Sequence, residues 1–91
     1  MTFLYPVVLT PHKDDKGYHA SFPDLEMCEV DGPDLDDAIE NARDAAHNWI
    51  EVELEDEGDL PFATHSEDIP LEEGQFVRMI SINVKLLPDN E

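Results

Sequence analysis

The chain has 91 residues, with 23 Asp and Glu against 5 Lys and Arg, so its net charge is −18 when His is neutral. That length predicts a single domain, and the acidic surplus excludes the large basic patch that direct nucleic-acid binding requires. A cationic protein is the electrostatically favoured partner. Hydrophobic residues make up 41% of the chain and fall in periodic blocks, which predicts a folded domain instead of a disordered one.

Cysteine content and hydropathy bear on location and assembly. Cys28 is the single cysteine, which excludes an intramolecular disulfide and suits a reducing compartment. No apolar run approaches the ~20 residues of a membrane span and the N-terminus has no signal-like pattern, so we expect a cytoplasmic protein without a membrane partner. A domain this short buries only about 60–65% of its unfolded surface, so we also expect a homo-oligomer, either a dimer or a tetramer.

Three short strands are predicted before the helix. Residues 2–10 are apolar and rich in aromatic and β-branched types. Pro6 lacks an N–H, so we expect it at a bulge or at the beginning of this strand. After a polar loop, residues 18–22 alternate between apolar and polar, which predicts a second strand antiparallel to the first. A turn at residues 23–26 leads to a third strand at residues 27–31.

A long amphipathic helix gives the strongest pattern in the chain. Asp34 is placed to cap its beginning and Gly58 to end it, which predicts a helix from about Leu35 to about Glu55. Apolar residues recur at i, i+3, i+4 and i+7 along this stretch. They are Leu35, Ala38, Ile39, Ala42, Ala45, Ala46, Trp49, Ile50 and Leu54.

The remaining residues predict a loop, a strand and a tail. Residues 59–74 show no period and contain two prolines, and so long a connection indicates a functional or partner-covered loop. Residues 75–87 alternate again, which predicts a last strand with Ile80 and Ile82 on its inner face. Residues 88–91 form a tail, so the predicted domain spans residues 1–87.

These elements predict an α+β fold, a two-layer β-β-β-α-β domain with one long helix packed on one face of a four-stranded sheet. The hairpins make the first three strands antiparallel. We expect a right-handed crossover to lay the last strand beside the first and parallel to it, which gives a mixed sheet of order 3-2-1-4. The third and fourth strands are then open edges, where we expect a second copy of the chain to pair.

Acidic residues cluster in and after the second half of the helix. They are Asp44, Glu51, Glu53, Glu55, Asp56, Glu57 and Asp59. Acids in a last helical turn oppose the macrodipole, so this face is either a docking surface for a cationic protein or a solvated face kept for solubility. Exposure and charge make five residues the candidate partner contacts: Asp24, Glu26, Glu51, Glu55 and Glu57. The turn that contains Asp24 is open to two interpretations, a structural bulge and a contact for a partner or a second copy.

No catalytic or metal-binding pattern emerges from the carboxylates and histidines. RNase H-type nucleases bind two divalent ions with several carboxylates, and one of these carboxylates lies on a central strand. The inner face of the first strand carries none, since its residues are Phe3, Tyr5, Val7 and Leu9. The four histidines are dispersed along the chain without metal-ligand spacing, which predicts surface histidines. We therefore predict a protein that is not an enzyme, with no catalytic residue, no metal site and no cofactor.

Three sequence segments are each of low specificity alone but form a specific pattern when they occur together and in this order. They are Tyr-Pro-Val-Val-Leu (residues 5–9), Gly-Tyr-His-Ala-Ser-Phe-Pro-Asp-Leu (17–25) and Gly-Pro-Asp-Leu-Asp-Asp-Ala-Ile-Glu-Asn-Ala (32–42). The Trp-Ile-Glu of residues 49–51, the Leu-Pro of residues 60–61 and the last strand follow in matching order. Together these residues resemble the HicB-like antitoxin family over nearly the whole chain, so we expect residues 1–87 to form a HicB-like domain.

The resemblance implies a partial RNase H-like fold without nuclease activity. Family members bind and inhibit HicA, a small basic toxin with a double-stranded-RNA-binding fold that cleaves mRNA by means of a histidine. Many members also carry a C-terminal helix-turn-helix or ribbon-helix-helix segment that binds the operon promoter. No DNA-binding domain is visible in this sequence, which ends at Glu91, so we expect no direct nucleic-acid binding by this chain.

The predicted function is therefore that of an antitoxin that neutralises a basic, mRNA-cleaving HicA-like toxin by masking its active site. Two alternatives stay open at this point. One is a metal-dependent nuclease on an RNase H-like fold, and the other is a regulatory protein-interaction scaffold. A neighbouring reading frame that encodes a short basic protein with a central histidine would favour the antitoxin.

Overall fold

The computed structural model describes residues 1–56 and 58–84, and it confirms the predicted fold class and strand order. The elements are β1 (Thr2–Pro11), β2 (Tyr18–Ser21), β3 (Glu29–Gly32), α1 (Leu35–Glu55), a single 3₁₀ turn (Ser66–Asp68) and β4 (Phe76–Asn83). The sheet order is β3-β2-β1-β4, and α1 packs on one face. Glu57, the end of the predicted last strand at residues 85–87 and the predicted tail at 88–91 lie outside the described residues.

The direction of β4 was predicted wrongly. β4 runs antiparallel to β1, from Thr2 opposite Asn83 to Leu9 opposite Phe76. The two other strand pairs are antiparallel as well. The described sheet is therefore antiparallel throughout, and the expected mixed sheet with a parallel fourth strand does not form.

The connection after the helix explains this reversal. Residues 58–75 travel back along the sheet before β4 begins, and two hydrogen bonds mark their course. The Tyr5 hydroxyl donates to the Pro61 carbonyl at 2.6 Å, and the Gln75 side-chain amide donates to the Thr10 hydroxyl at 2.9 Å. β4 consequently begins at the end of β1 and runs the opposite way. The right-handed crossover rule applies to parallel connections and has no force here.

Pro6 lies inside β1, and not at a bulge or at the strand's beginning as expected. Met1 and Val84 exchange both backbone hydrogen bonds, which fixes the alternation along the β1–β4 ladder. Pro6 opposite Met79 is then a non-hydrogen-bonded pair, so the missing N–H faces away from β4. The missing N–H faces the β2 side of β1, where the β1–β2 ladder extends only as far as Val8. Pro6 therefore removes no ladder hydrogen bond.

The helix bounds agree with the prediction, and both ends are closed by hydrogen bonds. The Asp37 backbone N–H donates to the Asp34 carboxylate at 2.8 Å, which confirms the N-cap. At the other end the Gly58 N–H donates to the Glu53 carbonyl at 2.8 Å and closes the last turn. The residues of α1 that are fully buried against the sheet form one line, Ala38, Ala42, Ala46 and Ile50.

The core lies between α1 and the inner face of the sheet. The predicted inner faces of the first and last strands are confirmed, because Tyr5, Val7 and Leu9 of β1 and Ile80 and Ile82 of β4 belong to this core. Pro6 and Val8, on the other face of β1, are buried as well. The buried core residues of the strands and of the residue after β4 are Tyr5, Val7, Leu9, Ala20, Ile80, Ile82 and Val84. Phe3, Trp49 and Leu60 are among the partly buried residues that pack around them.

Side chains of α1 cover one carbonyl on each edge of the sheet. The Asn41 amide donates to the Asp31 carbonyl of β3 at 3.0 Å, and Arg43 Nε donates to the Ser81 carbonyl of β4 at 3.3 Å. Both carbonyls belong to non-hydrogen-bonded pairs with the inner strand, so they point out of the sheet. The two edges are therefore partly capped within the chain itself.

Gly32 allows the N-terminus of α1 to approach β3 closely, and we predict that Gly32→Ala destabilises the domain by about 2 kcal/mol or more. An added Cβ would lie against the Ala38 backbone nitrogen and 2.6 Å from the Ala38 Cα, so the helix would have to move. Urea unfolding measures this loss.

Gly58→Ala is the matched control, because its Cβ would meet at close range only the flexible carboxylate of Glu53. We expect it to lose less than half as much stability as Gly32→Ala. Equal losses in the two variants would contradict the close-approach argument.

Candidate functional site

The turn segment, defined as residues 22–28, closes on itself between β2 and β3. The Phe22 N–H donates to the Cys28 carbonyl at 3.1 Å, and the Cys28 N–H donates to the Leu25 carbonyl at 3.1 Å. Phe22, Leu25 and Cys28 are buried in the core, whereas the exposed residues between them are Pro23, Glu26 and Met27. The turn predicted at residues 23–26 is thus a packed turn that points a few side chains outward. β3 begins after it, at Glu29 and not at Met27.

Met27 combines two features that do not favour folding. Its φ angle is +61°, the left-handed region, which costs about 1–2 kcal/mol for a residue with a Cβ. Its side chain is 88% exposed, so the methionine gains little from burial in exchange. Residues held in this way are found at functional sites, which makes Met27 a candidate contact residue.

Trp49 ties the turn segment to α1. Its indole Nε1–H donates to the Glu26 carbonyl at 2.9 Å, while the ring packs at the edge of the core. The core role predicted for Trp49 is therefore confirmed, and the hydrogen bond adds a second one. It holds the exposed residues of the turn next to the C-terminal half of the helix.

An apolar groove separates the turn segment from α1. Its volume is about 350 Å³, and it is lined by Met27, Cys28, Glu29, Ala45, Asn48, Trp49 and Val52. Val52 is 54% exposed, so its side chain forms an open wall of the groove. Burial raises the pKa of the Cys28 thiol, which favours its protonated form.

An acidic ridge runs beside this groove on α1. It consists of Asp44, Glu51 and Glu55, which follow one another at helical spacing around the groove residue Asn48. The last turn contains no basic residue, and the ridge carboxylates have no Lys or Arg partner within residues 1–56 and 58–84. Glu51 and Glu55 repel each other at i, i+4 and oppose the helix dipole. These two carboxylates therefore weaken the end of the helix.

The structure places four of the five predicted contact residues, and one of them has an internal role. Asp24 is half-buried, and both carboxylate oxygens accept hydrogen bonds from Thr64, at 2.8 Å from its N–H and 2.6 Å from its hydroxyl. Glu26 is exposed on the turn segment. Glu51 and Glu55 lie on the acidic ridge, which the Trp49 hydrogen bond keeps next to that turn. Glu57 lies outside the described residues.

Sequence reasoning missed Met27 and Val52, the two exposed apolar residues that line the groove. A signal for Val52 was present, because it is an apolar residue outside the helical stripe. No comparable signal existed for Met27, because its exposure depends on the three inward-facing residues of the turn segment.

Two of the four histidines, dispersed in sequence, meet at one carboxylate. His12 Nε2 lies 2.6 Å from one Asp31 oxygen, and His19 Nδ1 lies 3.1 Å from the other. His12 Nδ1 also lies 2.9 Å from Asp15. Since carboxylates only accept hydrogen bonds, the His12 ring satisfies both contacts when it is protonated. The hydrogen bond to Asp31 and then that to Asp15 raise the pKa of His12, while His12 and His19 lower the pKa of Asp31.

Two further properties are established only for the part of the chain that the structure describes. No three His, Cys, Asp or Glu side chains come together there in a metal-binding arrangement. None of its helices has the length and hydrophobicity to cross a membrane.

Comparison with known proteins identifies the family. A family model described as "HicB_like antitoxin of bacterial toxin-antitoxin system" matches residues 5–90. The chain belongs to this family.

A relative is found in Haemophilus phage HP1 (strain HP1c1), where it is described as an uncharacterized 14.9 kDa protein in the rep-hol intergenic region. It is 40% identical over 58 residues, which are 64% of this chain and 42% of the relative. The match thus spans about two fifths of the length of that curated protein.

Solved structures share the HicB-like fold. A chain of a toxin–antitoxin complex from Streptococcus pneumoniae gives a TM-score of 0.83 at 16% identity, over 100% of this chain and 78% of that one. The Burkholderia pseudomallei antitoxin HicB gives a TM-score of 0.76 at 26% identity, over 98% of this chain and 72% of that one. A chain of the HicA3 and HicB3 toxin–antitoxin complex gives a TM-score of 0.66 at 24% identity, over 91% of this chain and 99% of that one.

We predict that Asp24→Ala lowers stability by about 2 kcal/mol, because it removes two charge-assisted hydrogen bonds that join the turn segment to Thr64. Glu26→Ala, two residues further along the turn segment and exposed, should change stability by less than about 0.5 kcal/mol. Urea unfolding of both variants measures the difference. A similar small effect for Asp24→Ala would leave Asp24 as a surface carboxylate without a structural role.

We predict that the His12 contacts stabilise the fold most between about pH 4 and pH 6.5. The pKa of His12 is raised, so this stabilisation is complete below its ordinary pKa of about 6.5 and is lost as the pH rises through the higher folded-state value. The pKa values of Asp31 and Asp15 are lowered, so it is lost again as these carboxylates protonate below about pH 3.9.

Urea midpoints of the wild type and His12→Gln across pH 3–9 test this window. The difference between the two proteins removes the general effect of the large net charge. It should be largest near pH 5.5 and shrink toward pH 9. A difference that grows from pH 6 to pH 9 would contradict the assignment.

Proposed function

We propose that this HicB-like chain is an antitoxin that binds a small basic, mRNA-cleaving toxin of the HicA type and neutralises it by covering its active site. Family membership supports the antitoxin role. The observation that carries the proposal is the acidic ridge of Asp44, Glu51 and Glu55. Glu51 and Glu55 weaken the helix, and none of the three carboxylates has a cationic partner among the described residues, so a partner outside the chain accounts for them best.

Electrostatic complementarity supplies the affinity in this proposal. A ribonuclease that holds RNA phosphates needs Lys and Arg around its active site. The acidic ridge and the exposed Glu26 present carboxylates in place of those phosphates, and Glu57 is proposed as a further contact. Asp24 acts through its bonds to Thr64, which hold the turn segment in position. Because such pairs steer association, salt should weaken binding.

Steric masking depends on the rigidity of α1. The helix has 21 residues, about 30 Å, and its ends are capped. A surface on such an element loses little conformational freedom on binding, so more of the contact energy appears as affinity. The hydrogen bond from Trp49 to Glu26 extends this rigid surface to the turn segment.

The antitoxin role needs no enzymatic activity of this chain, and family membership favours a non-enzymatic protein. The inner face of β1 consists of aromatic and aliphatic residues where a metal-dependent nuclease would need a carboxylate. A regulatory scaffold with an unrelated partner is distinguished from an antitoxin by the inhibition assay below.

Self-association, the absence of nucleic-acid binding and the cytoplasmic location stay predictions. For self-association the structure adds one consideration. Asn41 and Arg43 cap one carbonyl on each sheet edge, so pairing of a second copy at an edge would have to displace one of these side chains.

The test is an RNA-cleavage assay with the basic protein encoded next to this chain. We expect cleavage to stop near a 1:1 ratio and raised salt to weaken the complex. Glu51→Gln combined with Glu55→Gln should lower the affinity about tenfold, since the two charges face the cationic partner.

Glu72→Gln combined with Glu73→Gln is the matched control. It removes the same charge from the exposed connection next to Thr10 and His12, away from the acidic ridge. Its affinity should stay within about twofold of the wild type. Full cleavage at an excess of wild-type chain would refute the antitoxin proposal, and equal losses in the two double variants would refute the role of the ridge.

A further inference from the structure

We propose that the apolar groove between the turn segment and α1 is an anchor site for one aliphatic or aromatic side chain that is flanked by Lys or Arg on a basic protein, with Met27 as its movable wall. This inference deepens the proposed function and rests on it, because it names the contact that would add specificity to the charge attraction.

Met27 is held at the groove by the residues around it and not by its own packing. Leu25 and Cys28 are buried on either side, and the Glu26 carbonyl is bound by Trp49. These contacts fix a left-handed backbone at Met27, a conformation that Gly or Asn would adopt more readily. The fold therefore gains nothing from a methionine at this position. A flexible thioether side chain is suited to close over a ligand of variable shape.

The lining of the groove suits an apolar side chain. Its volume of about 350 Å³ lies at the small end of ligand pockets. Trp49, Ala45 and Val52 form the helix side, and Met27 forms the opposite side. Exposed apolar groups that surround an aromatic ring are the kind of surface at which binding energy is concentrated in protein interfaces.

The charges around the groove decide what flanks the apolar side chain. Glu29 lines it, Glu26 lies next to Met27, and the acidic ridge borders it through Asn48. None of the residues that line it is Lys or Arg. An acidic segment would be repelled, and a second copy of this chain would bring the same carboxylates and a net charge of −18. A basic protein is the partner that fits both the groove and its rim.

The first experiment compares two exposed methionines in the complex with the basic toxin. Met27→Asn should lower the affinity at least tenfold, whereas its Tm should equal or exceed that of the wild type, because Asn tolerates the left-handed backbone. Met79→Asn is the matched control. Met79 is 44% exposed on the outer face of the sheet, opposite α1, and its replacement should change the affinity less than twofold. Val52→Ser should weaken binding about fivefold as an independent change on the helix side.

These outcomes separate the inference from the proposed function. If the charge variants weaken binding but Met27→Asn stays within twofold of the wild type, the antitoxin proposal stands and the anchor site is wrong. If Met27→Asn lowers Tm together with affinity, Met27 has a structural role and the anchor site is also wrong.

The second experiment needs no toxin. Trp49 is the single tryptophan of the chain and lines the groove, so its fluorescence reports occupancy. The peptide Lys-Arg-Leu-Arg-Lys should shift the Trp49 emission to shorter wavelength, whereas Lys-Arg-Ser-Arg-Lys should not. Equal responses to both peptides would overturn the inference even if the toxin is inhibited. A shift caused by raising the concentration of the chain alone would identify a second copy as the occupant and overturn it as well.

Discussion

The close approach of α1 to the sheet is the constraint on which the rest of the structure depends. It is possible because the helix presents a line of small side chains to the sheet and because Gly32 has no Cβ at the point where the chain enters the helix. From this position α1 buries the inner face of the sheet, reaches both edges with Asn41 and Arg43, and holds the turn segment through Trp49. A bulkier line on the helix would loosen all of these contacts together.

A helix held in this way can carry features that cost stability. The acidic ridge has like charges at helical spacing near a dipole end of the same sign, and Met27 adds a strained, exposed residue beside it. These unfavourable features lie on one side of the molecule, around the apolar groove, and they are compatible with folding because they lie at the edge of the core and not within it. In the proposed function, a cationic partner would pair with the carboxylates that lack a partner within the described residues.

Periodicity made the helix and the inner strand faces predictable, since burial of one face requires apolar residues at 3.6 or 2 residue spacing. The direction of β4 was not predictable in this way, because it depends on the path of residues 58–75, which have no period and are held by scattered hydrogen bonds such as that from Tyr5 to Pro61. The charged part of the site was visible as an excess of Glu and Asp. The exposed position of Met27 was not visible, because it follows from the packing of the neighbouring residues.

The amino-acid sequence alone determined the α+β class, the order of elements, the bounds of α1 with its Asp34 cap, and the negative charge that favours a basic partner. These properties are local or additive, so they can be read without distances. Only the tertiary structure decided that β4 is antiparallel, that Asp24 is bound to Thr64, that His12 and His19 share Asp31, and that Met27 and Val52 face one groove. Each of these joins residues far apart in the chain, or sets an exposure, and such contacts arise only when the elements are packed together.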